Sequence, residues 1–324
     1  MGVTAYRFGK KAVRAAHSVV NFTALVLAVL LVGVGCYALW DAEQIYSAAD
    51  AQAYALYKPS VEDEGTSFEE LRRVNGDVFS WLTVYGTHID YPVLQGKDNM
   101  QYVSLDAKGG YAGTGSIFLD SGNSRTYSDF NSILYGHHME RQKMFGEIEQ
   151  FSDKTFFDER PYGNLYYNGK DHGLEFFAFL HTSADDTSVF SPAVSESMQQ
   201  SYLDGLLTKA RHTRDIRVTT EDRIVLLSTC SAESTYGRDI LIGRITDAPF
   251  EDVFFHLETT DDTVTGAIAQ IGRAGPWRTV LAVILVVIAL VVLVILVRRH
   301  IRNKKKRLLI NENGEANTQE QKKE

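Results

Sequence analysis

The 324-residue sequence has only two cysteines. Cys36 lies in a long apolar run, and Cys230 stands alone in the polar stretch between that run and a second one. An internal disulfide framework is therefore excluded for residues 41–277. Positive charge is also scarce, with 33 Lys+Arg against 41 Asp+Glu for a net −8. Much of that basic charge crowds the two ends of the chain, so the middle is more acidic still. Phosphate binding needs the opposite sign, which excludes nucleic acid as a general partner; an acidic surface serves to keep the middle domain soluble. That domain also lacks a His-x-x-x-His or other clustered ligand set. Its adjacent His137 and His138 would point to opposite faces of an extended chain, so no metal is expected. There is no internal repeat, and no low-complexity tract before the polar tail after Leu309.

What the sequence does have, first, is two runs that are not soluble. Residues 18–40 and 279–297 are almost wholly apolar, and each reaches across the roughly 30 Å hydrocarbon core at about 1.5 Å per residue. Arg7, Lys10, Lys11 and Arg14 precede the first run, and Arg298, Arg299, Arg302 and Lys304 to Arg307 follow the second. The positive-inside rule then places both termini in the cytoplasm and the middle domain outside the cell membrane. A cleaved signal peptide is the competing reading of the first run; its length and the lack of a small-x-small site favour an uncleaved anchor. The chain divides accordingly. A cytoplasmic N-terminus (1–17) leads into a span (18–40), a helical stalk or linker (41–65) and the main domain (66–250). A membrane-proximal linker (251–278), a second span (279–297) and a basic, then polar cytoplasmic tail (298–324) follow.

Periodicity gives the main domain many short strands and few helices. Asp41 to Leu56 has helical spacing, and a doubled capping box at Thr66 and Ser67 opens a short helix to Val74. Strands are expected at Phe79–Tyr85 and Ile89–Leu94 about a turn at Gly86, at Ser116–Asp120, and at Ser132–Tyr135. Two more flank the turn Asn168–Gly173. Met144–Phe157 reads as a helix. Val194–Arg211 reads as an amphipathic one with Met198, Tyr202, Leu206 and Leu207 on one side. The fold class is mainly β, a barrel or sandwich with peripheral helices.

The chemistry centres on Arg223-Ile-Val-Leu-Leu-Ser-Thr-Cys230, a polar loop, and Arg238-Asp-Ile-Leu-Ile-Gly-Arg244. If the two apolar runs pair as antiparallel strands, Cys230 and Arg238 lie side by side at one sheet edge. Arg244 falls roughly 20 Å further along. An unperturbed thiol, with a pKa near about 8.5, needs a base or cation beside it to act as a nucleophile at neutral pH. His137 and His138 follow a strand and a glycine, a place where an imidazole is presented. His88, His172, His212 and His256 read as surface residues, and His181 as a core or edge residue.

These residues resemble a family. Thr229-Cys230 at a strand end, Arg238 opening the next strand, and Tyr135-Gly-His137-x-Met139 upstream are similar to the sortases, cysteine transpeptidases of Gram-positive cell surfaces. Class B is the closer match. Asn75-Gly-Asp-Val-x-x-Trp81, Ile89-Asp-Tyr-Pro-Val-Leu-Gln-Gly96-Lys-Asp-Asn99, Gly115-Ser-Ile-Phe-Leu-Asp120, Asn131-x-x-x-Tyr-Gly-His and Met144-Phe145 resemble it in order and spacing.

The resemblance implies an eight-stranded β-barrel with no cofactor. It makes His137 the acid/base, Cys230 the nucleophile and Arg238 the group that orients substrate and steadies the oxyanion. Asn99, Ser228 and Thr229 would line the groove for the substrate peptide. The implied reaction cleaves a surface protein's C-terminal sorting signal through a thioacyl-enzyme, which a peptidoglycan-precursor amine or a pilin lysine resolves. His138 stands where the family usually has Asn, and the Tyr-Gly-His frame selects His137 of the two. A C-terminal span is more typical of pilus-building sortases, yet no Asp-Pro-aromatic lid motif occurs near 41–65, so both acceptors stay open. The rival readings are a non-enzymatic anchored receptor or scaffold and another exported Cys/His peptidase or L,D-transpeptidase.

Overall fold

The structure is a computed structural model that describes residues 2–60, 66–230 and 236–254, of which residues 2–12, 14, 15, 66 and 230 are described by backbone alone. The second expected span, 279–297, and His256 lie outside the described residues. The described chain falls into two compact units that divide between Asp41 and Ala42.

One long helix, α1 (Gly2–Ala48), opens the chain. Its stretch Ala16–Ala48, 33 residues, is long and apolar enough to cross a membrane and is unburied. The expected separate stalk helix over Asp41–Leu56 is instead the end of α1 followed by two short 3-10 turns, Ala51–Ala53 and Ala55–Tyr57. Asp50 makes the break, because its side chain accepts the Gln52 N–H and caps the first turn. Helix α2 (Thr66–Val74) follows as the capping box predicts, and Phe68 packs edge-on against Trp81 and Tyr166.

The strands are β1 (Val78–Val84), β2 (Asp90–Leu94), β3 (Ile117–Leu119), β4 (Asn131–Tyr135), β5 (His138–Met139) and β6 (Lys143–Met144). After α3 (Lys154–Glu159) come β7 (Tyr162–Tyr167) and β8 (Lys170–Ser183). Helix α4 (Gln199–Lys209) leads to β9 (Ala210–Thr213), β10 (Arg223–Cys230) and β11 (Gly237–Thr246). Eight strands run in the order β11-β10-β4-β3-β2-β1-β7-β8, and β8 pairs back onto β11. The sheet thus closes into the eight-stranded barrel that the family resemblance implies, where periodicity alone left barrel and sandwich open, with β9 added beside β8. Closure removes the free edges of a sheet. The β7–β8 hairpin turns on Asn168 and Gly169, both at positive φ (51° and 77°). Asn-Gly adopts such a pair at little steric expense, which makes this turn tighter than the six-residue loop read from composition.

Period-two alternation sorts the apolar side chains into two cores. Val225 and Leu227 of β10 and Leu241 of β11 face the barrel interior with Leu134, Leu165 and Phe176. Ile224 and Leu226, Ile240 and Ile242, and Ile133 face outward, where Tyr202, Leu203 and Leu206 of α4 cover them. The expected α4 face is corrected in part, since Leu203 is buried whereas Met198 and Leu207 are exposed. Met144–Phe157 is not one helix. It is β6, a 3-10 stretch (Ile148–Ser152) and then α3, which Asp153 caps by accepting the Phe156 N–H.

His172 is also corrected. It is buried, stacked on Tyr167 at 3.8 Å between ring centroids, and burial holds its imidazole below the ordinary value.

Candidate active site

The site forms where β4, β10 and β11 lie side by side. Antiparallel pairing of β10 with β11 ends on Cys230 opposite Arg238, the juxtaposition inferred from the sequence. On the other flank β10 runs parallel to β4, with Ser228 beside Tyr135 and the Gly136 N–H donating to the Ser228 carbonyl at 3.2 Å. Two residues beyond that last pair on each strand stand His137 and Cys230. Positions 137, 230 and 238 therefore form one transverse row across three neighbouring strands. They share the parity of Ile133, Leu226 and Ile240, the outward face of the barrel. Arg244 is paired with Ile224 at the opposite end and contacts Glu175, so it takes no part in this row.

The half-buried His137 is held at both ends. Its carbonyl accepts the Phe145 N–H at 3.0 Å, and its Nε2 lies 2.9 Å from the carbonyl of Val103. A carbonyl can only accept, so Nε2 carries the hydrogen and Nδ1 is the nitrogen left to exchange a proton in the neutral ring. His138 turns elsewhere, with its Nε2 2.9 Å from Glu149 in a contact that is not an aligned hydrogen bond. Arg238 is half-buried and donates from Nη1 to the Gly237 carbonyl at 2.8 Å. Among the described residues no carboxylate sits within ion-pair distance of it, which leaves most of its donor fork for another group.

The carbonyl of Val103 depends on Gly115. This glycine sits at φ +58°, and a Cβ there would come within 2.6 Å of the carbonyl oxygens of both Tyr102 and Val103. Gly115→Ala is expected to destabilise the domain by at least about 2 kcal/mol, from left-handed strain and the collision together. A thermal melt reads the loss, and displaced His137 ring resonances by NMR read the shift of its carbonyl partner.

Asn99, Ser228 and Thr229 do not share one setting. Half-buried Asn99 donates to Asp120 Oδ2 at 2.8 Å, and Tyr135 donates to the same oxygen at 2.9 Å. Asn99 is thus tied to β4 two residues before His137. Burial, reinforced by the Asp120 carboxylate, pushes the Tyr135 hydroxyl well above its usual range, so it stays a neutral donor. Ser228 shares the outward parity of the row, and its buried hydroxyl has no hydrogen-bond partner among the described residues. Thr229 has the interior parity, so a peptide in the outward groove would meet its backbone rather than its hydroxyl. The reading of the sequence passed over Asp120, Tyr135 and Phe190, whose ring stacks on Tyr135 at 6.4 Å. The first two stand within quoted motifs, but nothing in their spacing revealed the shared carboxylate. The described residues hold no cluster of three or more metal-ligating side chains.

No family model matches the chain. Sortase B of Listeria monocytogenes is 33% identical over 207 residues, 63% of this chain and 82% of that protein. Sortase B from the type II pilus of Streptococcus pneumoniae is similar in structure with a TM-score of 0.50 and 46% identity, covering 56% of this chain and 99% of the other. A Staphylococcus aureus sortase B–substrate complex superposes with a TM-score of 0.52 at 29% identity, over 64% of this chain and 94% of that one.

Proposed function

Because the chain belongs to the sortase family, class B, and is a cysteine transpeptidase, we propose that Cys230 is its nucleophile, His137 its acid/base and Arg238 its oxyanion partner. The single observation that supports the assignment most is the transverse row of β4, β10 and β11 described above. In the first half-reaction the Cys230 thiolate attacks the carbonyl carbon of a threonine in the sorting signal of a surface protein. The negative charge that gathers on the carbonyl oxygen is met by the Arg238 guanidinium, worth most where water is excluded. Collapse breaks the amide bond after that threonine, protonated His137 gives its proton to the departing amine, and a thioester remains on Cys230. In the second half-reaction neutral His137 takes a proton from an incoming primary amine. The amine attacks the thioester, an amide forms, and the thiolate leaves.

The groove residues are Asn99 and Ser228 through their side chains and Thr229 through its backbone. The apolar part of α1 anchors the enzyme in the cell membrane with the barrel outside, and 279–297 forms a second span, which leaves both termini in the cytoplasm. The acceptor is an amine of a peptidoglycan precursor or of a pilin. Relatedness to the type II pilus sortase of Streptococcus pneumoniae favours the pilin lysine.

Mass spectrometry of the full-length protein incubated with a pentapeptide library tests this reading. An acyl adduct on Cys230 is expected, and either triglycine or a lysine side-chain amine should discharge it, whichever mimics the native acceptor. A library that leaves Cys230 unmodified, or acylates another residue, rejects the assignment.

A further inference from the structure

The hairpin β5–β6 hangs directly from His137, and it is gripped from the far side by the end of α1. Its strands pair His138 with Met144, and the Phe145 N–H then returns to the His137 carbonyl. On its outer rim Arg141 meets Glu43 at 3.0 Å and lies 4.1 Å over the Tyr46 ring, and Lys143 meets Asp50 at 2.8 Å. Beneath the rim runs a buried connection. The Tyr91 hydroxyl, on β2, donates to the carbonyl of Ala49 at 2.9 Å and accepts the Met144 N–H at 3.0 Å. Tyr91 and Ala49 are 2% and 1% exposed. One hydroxyl therefore joins the residue that follows α1 to the strand that closes on His137.

We propose that Tyr91 is a positioning residue for His137, and that Ala49 and Asp50 act with it as a brace that fixes the hairpin carrying the imidazole. The inference rests on His137 as acid/base, and it adds that the catalytic geometry depends on residues 43–50, outside the barrel. Exposed ion pairs alone would contribute little. The Tyr91 hydroxyl differs because it satisfies two buried backbone groups at once, and neither has water to fall back on. Its loss leaves the ring packed and frees the hairpin to shift, and displacements of about 1 Å at a reacting group are enough to slow catalysis by orders of magnitude.

The test uses the full chain in detergent micelles and three readouts: kcat, KM and the His137 ring resonances. Tyr91→Phe is expected to lower kcat at least about tenfold with KM held within about twofold, and to move the resonances. Asp50→Lys and Lys143→Asp should each do the same to a smaller degree. The double reversal should restore kcat and the resonances in part, because a lysine at 50 re-forms the ion pair but cannot accept the Gln52 N–H that Asp50 caps; a merely structural pair would show that coupling in melting temperature alone. Unmoved resonances and unchanged kcat in all the single variants, with only the melting temperature lowered, would overturn the brace. Absence of Cys230-dependent cleavage in the wild type would instead reject the acid/base assignment, and the resonances would still decide whether the brace exists.

Discussion

Cys230→Ala is expected to reduce turnover of a sorting peptide at least about 10³-fold, the scale on which removal of a covalent nucleophile acts, while the barrel melts within a few degrees of the wild type. The two halves of that expectation have separate causes. Cys230 is the last residue of β10, and its backbone pairs with Arg238 whatever its side chain. Losing one sulfur at a strand end falls within the small range of most single substitutions. The chemistry is less forgiving, because no thioester can form without the thiol and a hydroxyl-free methyl offers no substitute. The sequence supplies a control: the only other cysteine, Cys36, lies in α1. Cys36→Ala should retain full activity, and cleavage surviving in Cys230→Ala but not in Cys36→Ala would reverse the assignment. Peptide cleavage followed by chromatography, with a circular-dichroism melt, reads both arms.

Arg238→Lys carries the second large effect. The substitution keeps the charge and shortens the list of donors from a planar fork to a rotating ammonium. Arg238 already directs Nη1 to its neighbour's carbonyl at 2.8 Å, so its remaining donors are held in a fixed plane beside position 230. A lysine placed there has no second arm with which to hold itself. Removal of an oxyanion donor commonly reduces kcat by about 10²–10³, and that is the range expected. The partition matters as much as the size. If Arg238 serves the developing negative charge, kcat falls while KM moves little. If it only holds the peptide, KM rises and kcat survives. Near-normal kcat in Arg238→Lys would remove the oxyanion role, and steady-state kinetics over a wide range of peptide concentration separates the two.

The Cys230–Arg238 part of the row was legible because it is local in register. The apolar run to Cys230 and the run from Arg238 flank one loop, so antiparallel pairing followed from alternation and turn length, and eight consecutive pairs from Arg223 to Cys230 bear it out. The parallel contact of β4 with β10 was not legible from periodicity. Nearly a hundred residues separate the two strands, and only the motif around Tyr135-Gly-His137 suggested that they meet. Short-range errors have equally physical origins. Met144 to Phe157 has apolar residues at helical spacing, but Arg141, Gln142 and Met144 all sit at positive φ, a conformation no helix contains. The chain turns there because β6 must fold back on β5. Ala210 and Arg211 looked like the tail of α4, but with His212 and Thr213 they form β9 on the backbone that β8 offers. His172 was hidden by its polar turn, although counting parity from Leu165, its partner across the hairpin, would have sent it inward.

The parallel seam between β4 and β10 has a consequence for the life of the molecule before it is finished. Contacts between stretches so distant in sequence are late events, because the intervening loop must be closed before they reward the chain. Until that seam zips, position 230 has no imidazole for company, and an isolated thiol is a sluggish nucleophile at neutral pH. On the proposed assignment of Cys230 and His137, thiol reactivity is therefore expected to follow the pairing of β4 with β10 rather than precede it.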